Sequence, residues 1–199
     1  MKTLVIATKN EGKLTEYKSL LRDFKLNIVS LRGFQDIRIS ETGKTFDENA
    51  LLKAKGAAEA TGYAAMGDDS GLEVAVLGNR PGIYTARYAG PQASDSDNIR
   101  KLLKDLSGVP IEERGARFVC SLALVLPDRR CYLERGFLKG IIAFEPKGMN
   151  GFGYDPIFYL PEYKKTLAEI PEEQKNVISH RASAVSNIKK YLNLLIQED

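Results

Sequence analysis

The chain has 199 residues, enough to bury a substantial core, with apolar residues at 43% and charged residues at 28%. Its net charge of +3 is a small difference between 29 basic and 26 acidic residues, with no long basic run, so a nucleic-acid partner is not expected. No apolar stretch approaches the ~20 residues that span a bilayer, and the N-terminus lacks a signal-peptide pattern, so a cytoplasmic protein without a membrane partner is expected.

In chain order, residues 4–8 (Leu-Val-Ile-Ala-Thr) read as a buried strand that runs directly into Lys9-Asn10-Glu11-Gly12-Lys13. Leu14, Tyr17, Leu20, Leu21 and Phe24 then recur at helical spacing, and residues 27–31 read as a second strand. This β-loop-α-β opening favours a sheet with crossover helices. Thr45 and Glu48 form the pattern of a capping box, and the Ala-rich stretch behind them reads as a helix ending at Gly62. Residues 63–67 read as a short strand that delivers the chain into an acidic turn, Asp68-Asp69-Ser70-Gly71.

A further helix is expected from Ser94, with Asp97 three residues on and Ile99, Leu102, Leu103 and Leu106 along one face. Residues 116–126 and 131–142 are strand-like runs around the turn Pro127-Asp128-Arg129-Arg130, which reads as a hairpin. Cys120 and Cys131 fall in these runs without CxxC spacing and read as buried free thiols rather than a disulfide. Residues 148–153 read as a Gly-rich loop and residues 183–196 as a closing amphipathic helix. No repeat or linker marks a domain boundary.

Four segments can carry chemistry. Thr8-Lys9-Asn10-Glu11-Gly12-Lys13 stands where a strand ends and a helix begins, a place where free N–H groups and the helix dipole attract phosphate. It is not a P-loop, and it reads equally as an ordinary capped helix start. The adjacent carboxylates of Asp68 and Asp69 repel unless a cation binds, and Mg²⁺ suits an oxygen-only donor set; the competing reading is a plain β-turn. Glu41 can add a carboxylate from a distant loop.

Gly151-Phe152-Gly153-Tyr154-Asp155-Pro156 places aromatics between glycines, which suits either stacking on a base or plugging a core. Ser179-His180-Arg181 holds the single histidine of the chain, which excludes a His-cluster metal site. Arg181, with Lys175 nearby in sequence, suits phosphate or a carbonyl edge of a base.

Taken in order, six blocks resemble a known family: residues 8–13, Glu41-Thr42-Gly43 with residues 46–50, residues 68–71, residues 81–88, residues 151–156 and residues 179–181. They are similar to the inosine triphosphate pyrophosphatases, or non-canonical purine NTP pyrophosphatases, across nearly the whole chain. The resemblance implies one α/β domain with an elongated mixed central sheet flanked by helices, two lobes and a substrate cleft, assembled as a homodimer. It implies Mg²⁺-dependent hydrolysis of ITP, dITP and XTP to the monophosphate and pyrophosphate, which clears deaminated purines from the nucleotide pool.

By the same resemblance Thr8, Lys9, Asn10, Glu11, Gly12 and Lys13 hold the triphosphate. Asp69 is general base and metal ligand, and Ser70 touches substrate. Phe152, Gly153, Tyr154 and Asp155 hold the nucleoside, with Phe152 as the stacking ring, while Lys175, His180 and Arg181 read the oxygen-bearing purine edge. Family members often carry two glutamates before Thr-Gly; here the first is Ser40, which leaves Glu41 as the second metal ligand. The alternative is a non-catalytic nucleotide-binding or sensor protein on the same scaffold, and a variant is an enzyme acting on pyrimidine or modified nucleotides.

Overall fold

A computed structural model describes residues 1–34 and 37–197. Strand β1 (Lys2–Ile6) feeds helix α1 (Glu11–Leu20), and β2 (Leu26–Ser30) returns parallel to β1 with Leu4 opposite Ile28. This is the crossover unit expected from the sequence. Helix α2 (Phe46–Thr61) is capped by the Thr45 hydroxyl, which accepts the Glu48 N–H. The Glu48 carboxylate reaches one residue further back than a capping box requires, accepting the Lys44 N–H at 2.6 Å. Gly62 ends the helix in the left-handed region at φ 71°, which glycine adopts without a Cβ penalty.

Strand β3 corrects the sequence reading. It spans Ala64–Val74, so Asp68-Asp69-Ser70-Gly71 is extended strand and not a turn. The alternating apolar pattern of a half-buried strand is hidden because β3 is covered on both faces, and paired neighbours hold it straight. Strand β4 (Arg80–Pro81) returns antiparallel on its end, followed by α3 (Asp95–Asp105), whose Ser94 and Asp97 form a full capping box. Strands β5 (Gly115–Val125) and β6 (Cys131–Ile142) are joined by the expected hairpin, closed by Leu126 N–H to the Arg130 carbonyl.

Short strands β7 (Phe158–Leu160) and β8 (Lys165–Thr166) follow, then α4 (Glu172–Ile178) and α5 (His180–Gln197). Helix α4 had no counterpart in the sequence reading, and α5 begins three residues before the expected start, so His180 and Arg181 lie in its first turn. The sheet is mixed, in the order β2-β1-β3-β5-β6-β7-β8 with β4 on β3. Cys120 is buried as expected, whereas Cys131, the first residue of β6, is exposed. No helix among the described residues is long and apolar enough to cross a membrane.

The chain divides into two compact units. The first comprises Met1–Asp69, Cys120–Gly136 and the chain from His180. Alternate residues of its strands enter two separate layers of core. Leu4, Ile6, Met66, Leu122 and Leu124 pack with Tyr17 of α1, Leu21 at its C-terminal cap, and Ile188 and Leu192 of α5. Val5 and Ala65 pack with Ala57 of α2, and Ala123 and Val125 with its Ala50 and Ala54. Gly67 permits the close approach of α2, because a Cβ there would stand 2.2 Å from the Ala50 carbonyl oxygen.

The second unit, Ser70–Val119 and Phe137–Ser179, is built on Leu72, Leu102, Phe118, Ile142, Ile157 and Phe158. Its buried Arg114 donates to the carbonyls of Leu106 and Val109, at and beyond the end of α3, and to that of Ala143.

Candidate active site

The segment between β1 and α1 is built by local hydrogen bonds. Asn10 is the N-cap of α1, its side-chain oxygen accepting the Lys13 N–H at 3.1 Å, and Thr8 Oγ1 accepts the Asn10 N–H at 3.2 Å. Two residues at and just beyond the end of β2 brace it from outside. Ser30 donates to the Thr8 carbonyl at 3.3 Å, and Arg32 donates to the Lys9 carbonyl at 2.6 Å while pairing with Glu11. Lys9, Asn10 and Glu11 stay exposed, and Gly12 and Lys13 are half-buried.

Strand alternation decides what the adjacent aspartates do. Successive side chains leave a strand on opposite faces, so Asp68 and Asp69 do not share one site. Asp68 points toward α1 and α5. Its Oδ1 meets the Lys13 ammonium, and its Oδ2 accepts from Tyr17 Oη at 2.9 Å and from Cys120 Sγ at 3.3 Å. Arg181 Nε lies 3.7 Å from Oδ2, and its Nη1 donates to Glu16 Oε2 at 2.8 Å. Burial would push the Asp68 carboxyl up, but Lys13, Arg181 and Lys53 outweigh it and hold the group well below the usual carboxylate range. It is ionised.

Asp69 points the other way, toward α2. Lys53 Nζ donates to its Oδ1 at 2.8 Å and Asn49 Nδ2 to its Oδ2 at 3.3 Å. Asn49 and Lys53 are four residues apart and so share one helix face. The same lysine donates to Glu41 Oε2 at 3.2 Å, and Asn49 Oδ1 accepts the Gly43 N–H at 2.8 Å, which ties the Glu41-Thr42-Gly43 loop to α2. Burial raises the Asp69 carboxyl above its ordinary value, with Asp68 adding to the rise, against the lowering effect of Lys53 and Lys13. A raised carboxylate is suited to accept a proton.

Lys53 was not singled out from the sequence. The available signal was a lysine four residues after Asn49, on the alanine-lined face of a helix. Asp69 and Glu41 converge on its single ammonium, so the two carboxylates share one cation position. Their hard oxygen donors fit Mg²⁺ when water and substrate oxygens supply the rest. Among the described residues no group of three or more His, Cys, Asp and Glu side chains forms a ready-made cage.

The second unit holds a different cluster. Gly151 has φ 78°, and a Cβ there would stand 2.0 Å from Asp155 Oδ2, so the loop requires glycine. Buried Asp155 accepts the Phe152 N–H at 3.0 Å and the Lys175 ammonium at 2.6 Å. Lys175 Nζ also sits 4.9 Å from the Phe152 ring centroid. Asp95, in the first turn of α3, accepts the Gly153 N–H at 2.7 Å. The Tyr154 ring is buried in the core, and its hydroxyl donates to the Thr85 carbonyl at 3.0 Å. Phe152 is the half-buried aromatic of the loop, and Ser70, next after Asp69, is also half-buried.

The predicted residues thus fall into three clusters. Lys13, which ends the 8–13 segment, meets Asp68 together with Arg181, Glu41 joins Asp69 at Lys53, and Phe152, Asp155 and Lys175 meet one another. Lys175 and Arg181, grouped by their nearness in sequence, belong to different clusters, and buried His180 opens α5 beside Arg181.

A family model described as the Ham1 family matches residues 4–191. The chain belongs to the Ham1 family. Among curated relatives it is 49% identical to the dITP/XTP pyrophosphatase of Geobacillus kaustophilus, over 94% of this chain and 93% of that protein. It is 48% identical to the dITP/XTP pyrophosphatase of Geobacter sulfurreducens, over 96% of this chain and 97% of that one. The solved Ham1 protein of Coxiella burnetii superposes with a TM-score of 0.88 at 42% identity, covering 97% of this chain and 99% of that one. The Staphylococcus aureus Ham1 protein gives 0.86 at 43%, covering 96% and 98%.

Proposed function

We propose that this Ham1 chain hydrolyses non-canonical purine nucleoside triphosphates (ITP, dITP and XTP) to the monophosphate and pyrophosphate. The observation that carries it is the convergence of Asp69 and Glu41 on one cation position, in a unit where Asp68 holds Lys13 at a helix start. The relatives' names support the substrate class.

In this reading the first turn of α1 and its approach, residues 8–13, bind the polyphosphate through backbone N–H groups and the Lys13 ammonium. Asp69 orients a water toward the α-phosphorus and accepts its proton. Asp69 and Glu41 hold Mg²⁺, which when bound supplies charge neutralisation at the phosphate oxygens. Ser70 contacts substrate. The Phe152 loop, Gly153 to Asp155 included, holds the nucleoside, and Lys175, His180 and Arg181 recognise the 6-oxo edge. A 6-amino purine would present a donor where these residues donate, and an unpaired buried donor costs about 1–3 kcal/mol. The proposal includes a cytoplasmic homodimer, and light scattering tests the assembly.

The decisive experiment is a screen of nucleoside triphosphates with Mg²⁺ that scores pyrophosphate against orthophosphate. Pyrophosphate from ITP, dITP or XTP in clear excess over ATP is the expected result. Saturable nucleotide binding without turnover under any divalent metal would replace the enzyme with a binding protein.

A further inference from the structure

Lys13, Glu16 and Tyr17 are spaced i, i+3, i+4 and leave α1 on one face, and two of them meet the same carboxylate. Tyr17 is fully buried, with its hydroxyl 2.9 Å from Asp68 Oδ2 and 3.6 Å from Cys120 Sγ. Cys120 is equally buried and its Sγ lies 3.3 Å from that same oxygen. An ionised carboxylate only accepts, so the hydroxyl and the thiol both donate to Oδ2. The other oxygen, Oδ1, is the one that meets the Lys13 ammonium.

Rotation about the last torsion of an aspartate is soft and roughly two-fold, so a carboxylate gripped by one oxygen alone does not fix the direction of the other. Here the core supplies that grip. Of the two donors the hydroxyl is the stronger and the thiol the weaker. Burial, with the Asp68 charge behind it, pushes the Cys120 thiol up to about 12 and the Tyr17 phenol above its ordinary value, so both keep their protons.

We propose that Tyr17 is a positioning residue: its hydroxyl orients Asp68 so that Oδ1 holds the Lys13 ammonium in place for the polyphosphate of the substrate. The inference rests on the proposed role of Lys13, and it assigns a task to a tyrosine otherwise read as core filling. Tyr17 touches no reacting atom. It acts through Asp68, whose Oδ1 holds Lys13, so its effect on tripolyphosphate, which has no base for Arg181 to read, must vanish when Lys13 is removed.

The test is a double-mutant cycle of Tyr17→Phe and Lys13→Met, read both as kcat/KM for ITP and as affinity for inorganic tripolyphosphate by calorimetry. Losing a hydrogen bond to a charged group corresponds to about a tenfold loss in each readout for Tyr17→Phe alone, shrinking to less than about twofold in the Lys13→Met background. An unchanged Tyr17→Phe protein, or an equal loss on both backgrounds, overturns the proposal. Should Tyr17→Phe not fold, fluorotyrosine at position 17, which keeps the ring and changes the donor strength of its hydroxyl, carries the same cycle. A cycle seen in tripolyphosphate binding without any ITP turnover would sink the enzymatic reading and leave the role of Tyr17 standing.

Discussion

The Lys53 ammonium lies 2.8 Å from Asp69 Oδ1 and 3.2 Å from Glu41 Oε2, so one buried lysine faces both carboxylates. The lysine therefore serves as counter-charge to the pair. Chelation by EDTA is expected to abolish turnover yet move the melting temperature by less than about 2 °C. Lys53→Met in EDTA leaves the carboxylates buried without their cation, at a cost of about 3–5 kcal/mol in denaturant unfolding. Added Mg²⁺ should restore part of that stability; no change on either treatment would contradict the shared position.

The adjacent aspartates should titrate apart. In the metal-free protein, carboxyl NMR is expected to show Asp69 titrating above the ordinary value of about 3.9 and Asp68 below it. For Asp68, burial opposes ionisation but Lys13, Arg181 and Lys53 prevail. Its lowered value contributes stability that is present above about pH 3.9 and is lost as pH falls below it. Asp69 has the opposite sign: burial, reinforced by Asp68, outweighs Lys53, so the folded state holds that proton more tightly and ionisation costs stability as pH rises. Asp68→Asn should accordingly destabilise at neutral pH, with the difference from the unmodified protein narrowing below about pH 4.

Asp69→Asn keeps the size of the side chain and one acceptor for Lys53 but removes the proton acceptor. Turnover of ITP is expected to fall by at least about 10²-fold, within the range of general-base effects, while calorimetric affinity for nucleotide changes little. A variant that loses its cooperative unfolding transition would mark Asp69 as structural instead.

Phe152→Ala separates the two ends of the substrate. Stacking on a base contributes about 1–3 kcal/mol, so KM for ITP is expected to rise about fivefold to a hundredfold. Tripolyphosphate, which has no base, should bind as before. Equal weakening of both ligands would argue against a stacking role.

Gly67→Ala tests how α2 is seated. Its Cβ would approach the Ala50 carbonyl oxygen to 2.2 Å and the Ala54 nitrogen to 2.5 Å, both backbone atoms that cannot swing aside. Displacing the helix should cost about 1–3 kcal/mol or more and shift Asn49 and Lys53 away from Asp69. Loss of activity larger than the loss of folded protein is the expected signature.

Local signals carried much of the fold. The capped start of α1 at Asn10, the Thr45 and Ser94 caps, the Gly62 stop and the hairpin at Pro127–Arg130 are short-range hydrogen-bond and torsional effects, and each is present. Helix α4 was not legible, because seven residues beside a proline give too little periodicity to read.

For the acidic pair, the chain by itself determined that two carboxylates follow an apolar strand start, within ordered blocks that match one family. Only the tertiary structure decided that Asp68 and Asp69 lie inside a continuing strand and face opposite ways. That outcome depends on β1 pairing and on helices covering both faces, which are contacts between residues far apart in sequence. Strand alternation then assigned Lys13, Tyr17 and Arg181 to one carboxylate and Asn49, Lys53 and Glu41 to the other.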